Sequence, residues 1–167
     1  GLPTLSVSLR GAVDVIVRVE SLKASVHSGM FGGPAPDPLA ALVRMPATLR
    51  DEHGNTTVPG IRADQVWEGL QYEEEAYRAD AGLLEGTQRL GSGTVSDQIC
   101  ARPVVTILGI DAPPVVGAVA AVQAKAAAKL NLRVPPGEDP AQMRDALMAH
   151  LHAVAPWGVK VETEAGE

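Results

Sequence analysis

The run His27-Ser28-Gly29-Met30-Phe31-Gly32-Gly33-Pro34 puts an imidazole at the end of a strand-like stretch and follows it with glycines that free the backbone. Such a loop can carry a titratable ring up to a ligand, although spacing alone favours the simpler role of capping a backbone group. Arg133 is the second candidate: it stands on the polar side of an alternating segment, just before Val134-Pro135-Pro136-Gly137, where a guanidinium can fork onto a carboxylate or serve as an ordinary surface charge. A metal site is not expected in this chain. His150 and His152 are two apart in a helical pattern and point in different directions, so they cannot chelate as a local pair. Cys100 is the one cysteine, which excludes an intrachain disulfide and a cysteine-rich zinc module and suits a reducing, cytoplasmic compartment. The series Gly29, Gly32 and Gly33 lacks the lysine of a phosphate loop and leads into an Asp-capped helix, whose acid would repel an anion.

These side chains belong to a chain of 167 residues, enough for one domain with an elaborated insertion. Fourteen basic against twenty acidic residues give a net charge of −6, which argues against a nucleic-acid partner. No apolar run approaches the length of a membrane span. The first ten residues read at once as a strand and the last stop just beyond one, so the ends look like those of a piece cut from a larger protein.

The elements that must hold the candidates follow from pattern. Leu5, Val7 and Leu9 alternate with polar residues, as do Val13, Val15, Val17 and Val19, and Gly11-Ala12 between them predicts a tight hairpin. Asp37-Pro38 pairs an N-cap acceptor with a proline at the first helical position. The helix that follows has an apolar stripe of Leu39, Leu42, Val43 and Leu49, and Pro46 should kink or stop it near Met45. Residues 51–102 read as an irregular insertion containing a short acidic helix around Glu73 to Tyr77. Residues 104–110 form an apolar, β-branched run expected to be a buried strand. Residues 125–134 alternate Ala126, Ala128, Leu130, Leu132 and Val134 against Lys125, Lys129, Asn131 and Arg133, a strand with one wet face. Asp139-Pro140 starts a second helix, and residues 159–163 a last strand. The sum is an α+β fold: an antiparallel sheet with two helices on one face, a ferredoxin-like α/β sandwich, plus the insertion at about 51–102.

The block His27 to Gly33 followed by Asp37-Pro38-Leu39-Ala40-Ala41-Leu42, and the block Lys129-Leu130-Asn131-Leu132-Arg133-Val134-Pro135-Pro136-Gly137, together resemble the lid or dimerisation domain of the zinc-dependent carnosinase and carboxypeptidase-G family. That family also includes acetylornithine deacetylase and succinyl-diaminopimelate desuccinylase, and the form of the histidine block points to its dipeptidase branch. The resemblance spans nearly the whole chain, residues 1–167, and implies a domain inserted in a larger di-zinc peptidase. Two zinc ions and the general base would then lie in the catalytic domain, with no cofactor here. By the same resemblance His27 stabilises the oxyanion in a partner subunit's site, Arg133 and Gly29 contact the dipeptide substrate, and the partners are a second copy of the chain and its own catalytic domain. The isolated domain would not be an enzyme. One position departs: where the family usually has Asn or Thr, this chain has Ala120, which offers no side-chain hydrogen bond. The competing expectation is a free-standing α+β interaction or small-molecule regulatory module.

Overall fold

The computed structural model describes residues 10–166. The main sheet has four strands in the order β3-β5-β1-β6, all antiparallel, with β1 at Gly11–Glu20, β3 at Val104–Asp111, β5 at Lys125–Val134 and β6 at Lys160–Ala165. A two-stranded ribbon pairs β2, Val26–His27, with β4, Ala121–Val122. Helix α2, Pro38–Ala47, and helix α4, Pro140–Ala153, each connect two strands of the main sheet. Without the ribbon, the order is strand, helix, two strands, helix, strand, which is the ferredoxin-like arrangement expected.

One face of the sheet carries the core. Val15, Val17 and Val19 of β1 sit opposite Leu130, Ala128 and Ala126 of β5, and all six are buried. Leu42 and Met45 of α2 and Leu147 and Leu151 of α4 close over them. Both helices start as expected: the Asp37 carboxylate accepts from the Leu39 and Ala40 N–H groups, and Asp139 does the same for Ala141 and Gln142. Pro46 is accommodated in the last turn of α2, which ends two residues after Met45, where the Thr48 hydroxyl bonds the Met45 carbonyl at 2.7 Å. The buried stripe of α2 is Ala41, Leu42 and Met45, while Val43 faces outward.

Two expectations are corrected. Gly11 and Ala12 are not a hairpin turn but the first residues of β1, laddered to Val134 and Arg133; the expected first strand, residues 5–9, lies outside the described residues. The run at 104–110 is a strand but an edge one. Its neighbour on one side is β5 and neither helix covers it, so Ile107, Leu108 and Ile110 are 47%, 56% and 44% exposed. An apolar, β-branched run fits an edge strand as well as a buried one.

The insertion between α2 and β3 contains α3, Glu74–Asp80, and a π-helical turn, Asp97–Ala101, but is held chiefly by buried polar groups. The Asp97 carboxylate accepts from the Trp67 N–H at 2.7 Å and the Thr94 N–H at 2.8 Å. Buried Arg102 donates Nε to the Gln65 carbonyl and Nη1 to the Ser92 carbonyl. The short helix α1, Ser28–Phe31, precedes α2 and lies outside the insertion. The two N–H donors on Asp97 hold its carboxyl below the ordinary carboxylate range. A depressed native pKa contributes stability that is complete above the unfolded value, near pH 4, and is lost as pH falls through the native one. Acid unfolding of the wild-type chain should therefore steepen below about pH 4. Asp97→Asn should be less stable at neutral pH, and its stability should fall less on acidification. Urea melts of both proteins across that range check this; parallel pH dependences would contradict it.

Candidate functional site

His27 is placed by a short ribbon and a glycine-rich turn. It pairs with Ala121 across β2 and β4, and the next N–H, of Ser28, donates to the Ala120 carbonyl at 2.9 Å. His27 then caps α1, its Nδ1 accepting from the Gly29 N–H at 3.0 Å. With Nδ1 as acceptor, the neutral imidazole carries its proton on Nε2, so the exposed ring presents a donor. Capping thus sets the tautomer.

The glycines are explained by contacts. A Cβ on Gly29 would stand 3.0 Å from His27 Cε1 and 3.2 Å from Nδ1, so only glycine lets this backbone meet the ring without a shift. A Cβ on Gly32 would overlap the Ser28 carbonyl oxygen, which accepts the Gly32 N–H at 2.8 Å. Ala120, the position at which the resemblance expects a polar side chain, lies beside this turn and contributes its backbone only. A cavity of about 560 Å³ opens next to the ribbon, bounded by Ser25 and Gln123, by Asp111, and by Arg18 and Lys125.

Arg133 is exposed near the far end of β5, across from Ala12. From Lys125 to Arg133 the strand advances eight residues, about 27 Å at the usual rise, and the His27 ribbon lies at the Lys125 end. The structure therefore does not bring His27 and Arg133 together within one chain. What surrounds Arg133 is charged. On the same face of the sheet, Asp14 accepts from Asn131 Nδ2 at 2.6 Å and pairs with Lys129 Nζ at 3.0 Å, and these contacts lower its pKa. Arg10 lies close enough for its charge to act on Arg133, and it donates Nη1 to the Gln98 carbonyl at 3.2 Å. Arg10 escaped the sequence analysis because its only signal was membership of an alternating run.

The α4 histidines are separate, as their spacing requires. His150 Nε2 lies 2.8 Å from Thr48 Oγ1, while His152 Nε2 lies 3.1 Å from Thr163 Oγ1 on β6. Partial burial holds the His150 pKa below its ordinary value. Among the described residues no three His, Cys, Asp or Glu side chains gather to hold a metal ion. Likewise, no described helix is long and apolar enough to cross a membrane.

Comparison with known proteins agrees with this architecture. A family model described as the peptidase dimerisation domain matches residues 7–159. The chain is 41% identical to the cysteinylglycine-S-conjugate dipeptidase of Corynebacterium striatum over 164 residues, covering 97% of this chain and 36% of that protein. It is 28% identical to the Cys-Gly metallodipeptidase DUG1 of Saccharomyces cerevisiae over 162 residues, 90% of this chain and 33% of the relative. The chain thus spans about a third of the length of these curated relatives. Among solved structures, the yeast dipeptidase Dug1p superimposes with a TM-score of 0.75 at 22% identity, covering 93% of this chain and 35% of that one. Human carnosine dipeptidase 1 gives a TM-score of 0.74 at 23% identity, covering 93% and 36%. At such identities these two likenesses show the fold.

Because the Gly32 Cα faces a backbone oxygen and not a flexible side chain, Gly32→Ala should displace the turn and break the cap that orients His27. The expected readout is a changed ¹⁵N shift pattern for the His27 ring, with its tautomer no longer fixed, in a chain that still melts cooperatively. An unaltered ring spectrum would show that the turn does not set the imidazole.

Proposed function

The chain belongs to the peptidase dimerisation domain family, and from that membership we propose that it is the dimerisation and lid domain of a metal-dependent dipeptidase. In this reading His27 donates to the oxyanion formed at the scissile carbonyl. Arg133 binds the substrate carboxylate, and Gly29 contributes a backbone contact to the same substrate. The metal, by expectation two zinc ions, would be held by the rest of the protein, since this chain offers no ligand cluster among its described residues. The lone half-buried Cys100 suits a cytoplasmic setting. The dipeptide class is supported by the names of the relatives, several of which are Cys-Gly dipeptidases.

The observation that carries the reading is the separation of His27 from Arg133 along β5. A dipeptide spans about 7 Å, so two residues at opposite ends of a strand about 27 Å long cannot both touch one. They can if a second copy supplies one of them. The exposed apolar edge of β3 supports such a copy. Antiparallel pairing of β3 with its twofold mate would lay the end near Asp111 of one strand beside the end near Val104 of the other. Asp111 lies at the His27 end of the sheet, and Val104 pairs with Arg133. The His27 end of each copy would then face the Arg133 end of its partner, about three strand spacings or 14 Å across. Arg50 occupies the Val105 carbonyl, which leaves Ile107 to Asp111 as the open part of the edge.

An oxyanion develops only as the carbonyl is attacked, so its donor acts on turnover, whereas a carboxylate fork acts on ground state and transition state alike. In the full-length protein His27→Ala should lower turnover about a hundredfold, and Arg133→Ala should chiefly raise the Michaelis constant. Shared sites make a sharper test. In a mixed dimer of the two variants, one site has both residues and the other has neither. Refolding equal amounts of the two weak variants together should restore activity toward about a quarter of wild type, since random pairing makes half of the dimers mixed and one site in each of these is intact. A mixture no better than the average of its parts would refute the cross-subunit arrangement.

The edge itself is tested by Ile110→Lys, which puts a charge into the apolar strand. Sedimentation should show the variant as a monomer at concentrations where the wild-type chain is a dimer. An unchanged assembly state would place the contact elsewhere.

A further inference from the structure

Two arginines stand near the end of β5, Arg133 in the strand and Arg10 just before β1, and Asp14 is the acid whose charge reaches Arg133. Arg10 lies two residues before Ala12, the cross-strand partner of Arg133, and its pKa is lowered first by partial burial and then by the Arg133 charge. The acid in reach of Arg133 is Asp14, and both of its oxygens are engaged, Oδ1 by Asn131 and Oδ2 by Lys129. Among the described residues neither arginine forms an ion pair with an acid. The other titratable neighbour of Arg10 is Cys100, on the π-helical turn whose Gln98 carbonyl takes one Arg10 nitrogen. Ala12, directly opposite Arg133, is too small to fill the space between the rows of β1 and β5.

Two guanidiniums on neighbouring strands favour an anion between them. From this geometry we infer that Arg10 is the second guanidinium of the substrate-carboxylate site, sharing with Arg133 the two oxygens of a free C-terminal carboxylate. The inference rests on the reading of Arg133 as the carboxylate binder and adds a specificity to it. A carboxylate has two oxygens and a full charge for two forks, whereas a C-terminal amide has one acceptor, no charge and an N–H₂ that would face a guanidinium. Arg10 therefore discriminates free dipeptides from those blocked at the carboxyl end. Its bond to Gln98 gives it a second effect, since the turn that anchors the insertion also aims the guanidinium.

The test uses the full-length protein with Cys-Gly and its C-terminal amide as paired substrates, and the variants Arg10→Gln, Arg10→Lys and Arg133→Ala. Gln retains a donor for the Gln98 carbonyl and loses the charge; Lys retains the charge. A lost charge-assisted hydrogen bond of about 1.5–3 kcal/mol corresponds to roughly a ten- to hundredfold rise in the Michaelis constant. Arg10→Gln should show that rise for Cys-Gly, with turnover and the amide little changed, and Arg10→Lys should recover a large part of it. If Arg133→Ala loses the preference for the free carboxylate but Arg10→Gln keeps it, or weakens both substrates equally, Arg10 is only a tie to the insertion and the inference is overturned. If Arg133→Ala itself does not distinguish the two substrates, the reading of Arg133 fails first and the inference falls with it.

Discussion

The ladder between β1 and β5 is the interaction on which everything else depends. Ten consecutive residue pairs, from Gly11 with Val134 to Glu20 with Lys125, fix one register along the full length of both strands. Because side chains alternate across a sheet, that register sends Val15, Val17, Val19, Leu130 and Leu132 to the helices, and Asp14, Lys129, Asn131 and Arg133 to the opposite face. A slip of one residue would exchange the two sets, burying four polar groups and exposing the core. The same ladder is a ruler. It separates the turn that holds His27 from the end that holds Arg133, so the stability of the domain and the distance between these two residues have a common cause.

Energetics sharpen the part played by β3. Full burial of three large aliphatic side chains is worth about 1.5–3 kcal/mol each. Ile107, Leu108 and Ile110 are already about half covered, so an edge partner would add only part of that. Association costs about 4–15 kcal/mol before any contact gains are counted, so the apolar edge cannot hold two copies together alone. Strand pairing supplies backbone hydrogen bonds in addition, and the connection from β3 to β4 carries Val115 and Val116 in nearly full exposure, 93% and 91%. An interface that draws on both the strand and this loop reaches the His27 turn directly, because Ala120 at the end of the loop accepts the Ser28 N–H.

Local chemistry made much of this fold legible in the sequence. Asp-Pro at both helix starts and the alternation of residues 125–134 each reflect a constraint satisfied within a few residues, and each was found where expected. Gly11-Ala12 misled because small residues suit a turn but are also tolerated in a strand whose neighbour supplies the ladder. Residues 104–110 misled for a different reason: an apolar, β-branched run marks a strand but not its place in the sheet, and this one lies at an edge with Ile107, Leu108 and Ile110 exposed. The insertion was legible only as irregular, since its order comes from Asp97 and Arg102 binding backbone groups far off in sequence, contacts that leave no periodic trace. Of the candidate residues, His27 was visible before a glycine-rich loop and Arg133 on the polar face of a strand that runs into Val134-Pro135-Pro136-Gly137. Arg10 was not, because its significance arises only when the strands bring it beside another arginine.

The position of His27 shows that a capping role and a donor role need not compete. Spacing favoured the histidine as a backbone cap, and the ring does cap Gly29. An uncapped neutral imidazole divides its population between two tautomers, only one of which offers a donor at Nε2. Accepting the Gly29 N–H at Nδ1 removes the other, and the contact also restricts rotation of the ring. The entropy of orienting that N–H is then lost in folding, and for the oxyanion role proposed for His27 this is the condition under which a hydrogen bond to a developing charge is most effective. The cost falls on the backbone: Gly29 and Gly32 must forgo side chains, and Gly33 adopts φ of +99°, a conformation that glycine accepts without strain. Gly29 makes room for the imidazole, while Gly32 and Gly33 serve the turn itself, one facing the Ser28 carbonyl and the other taking a positive φ, so the ring and the backbone are fitted to each other by different glycines of one run.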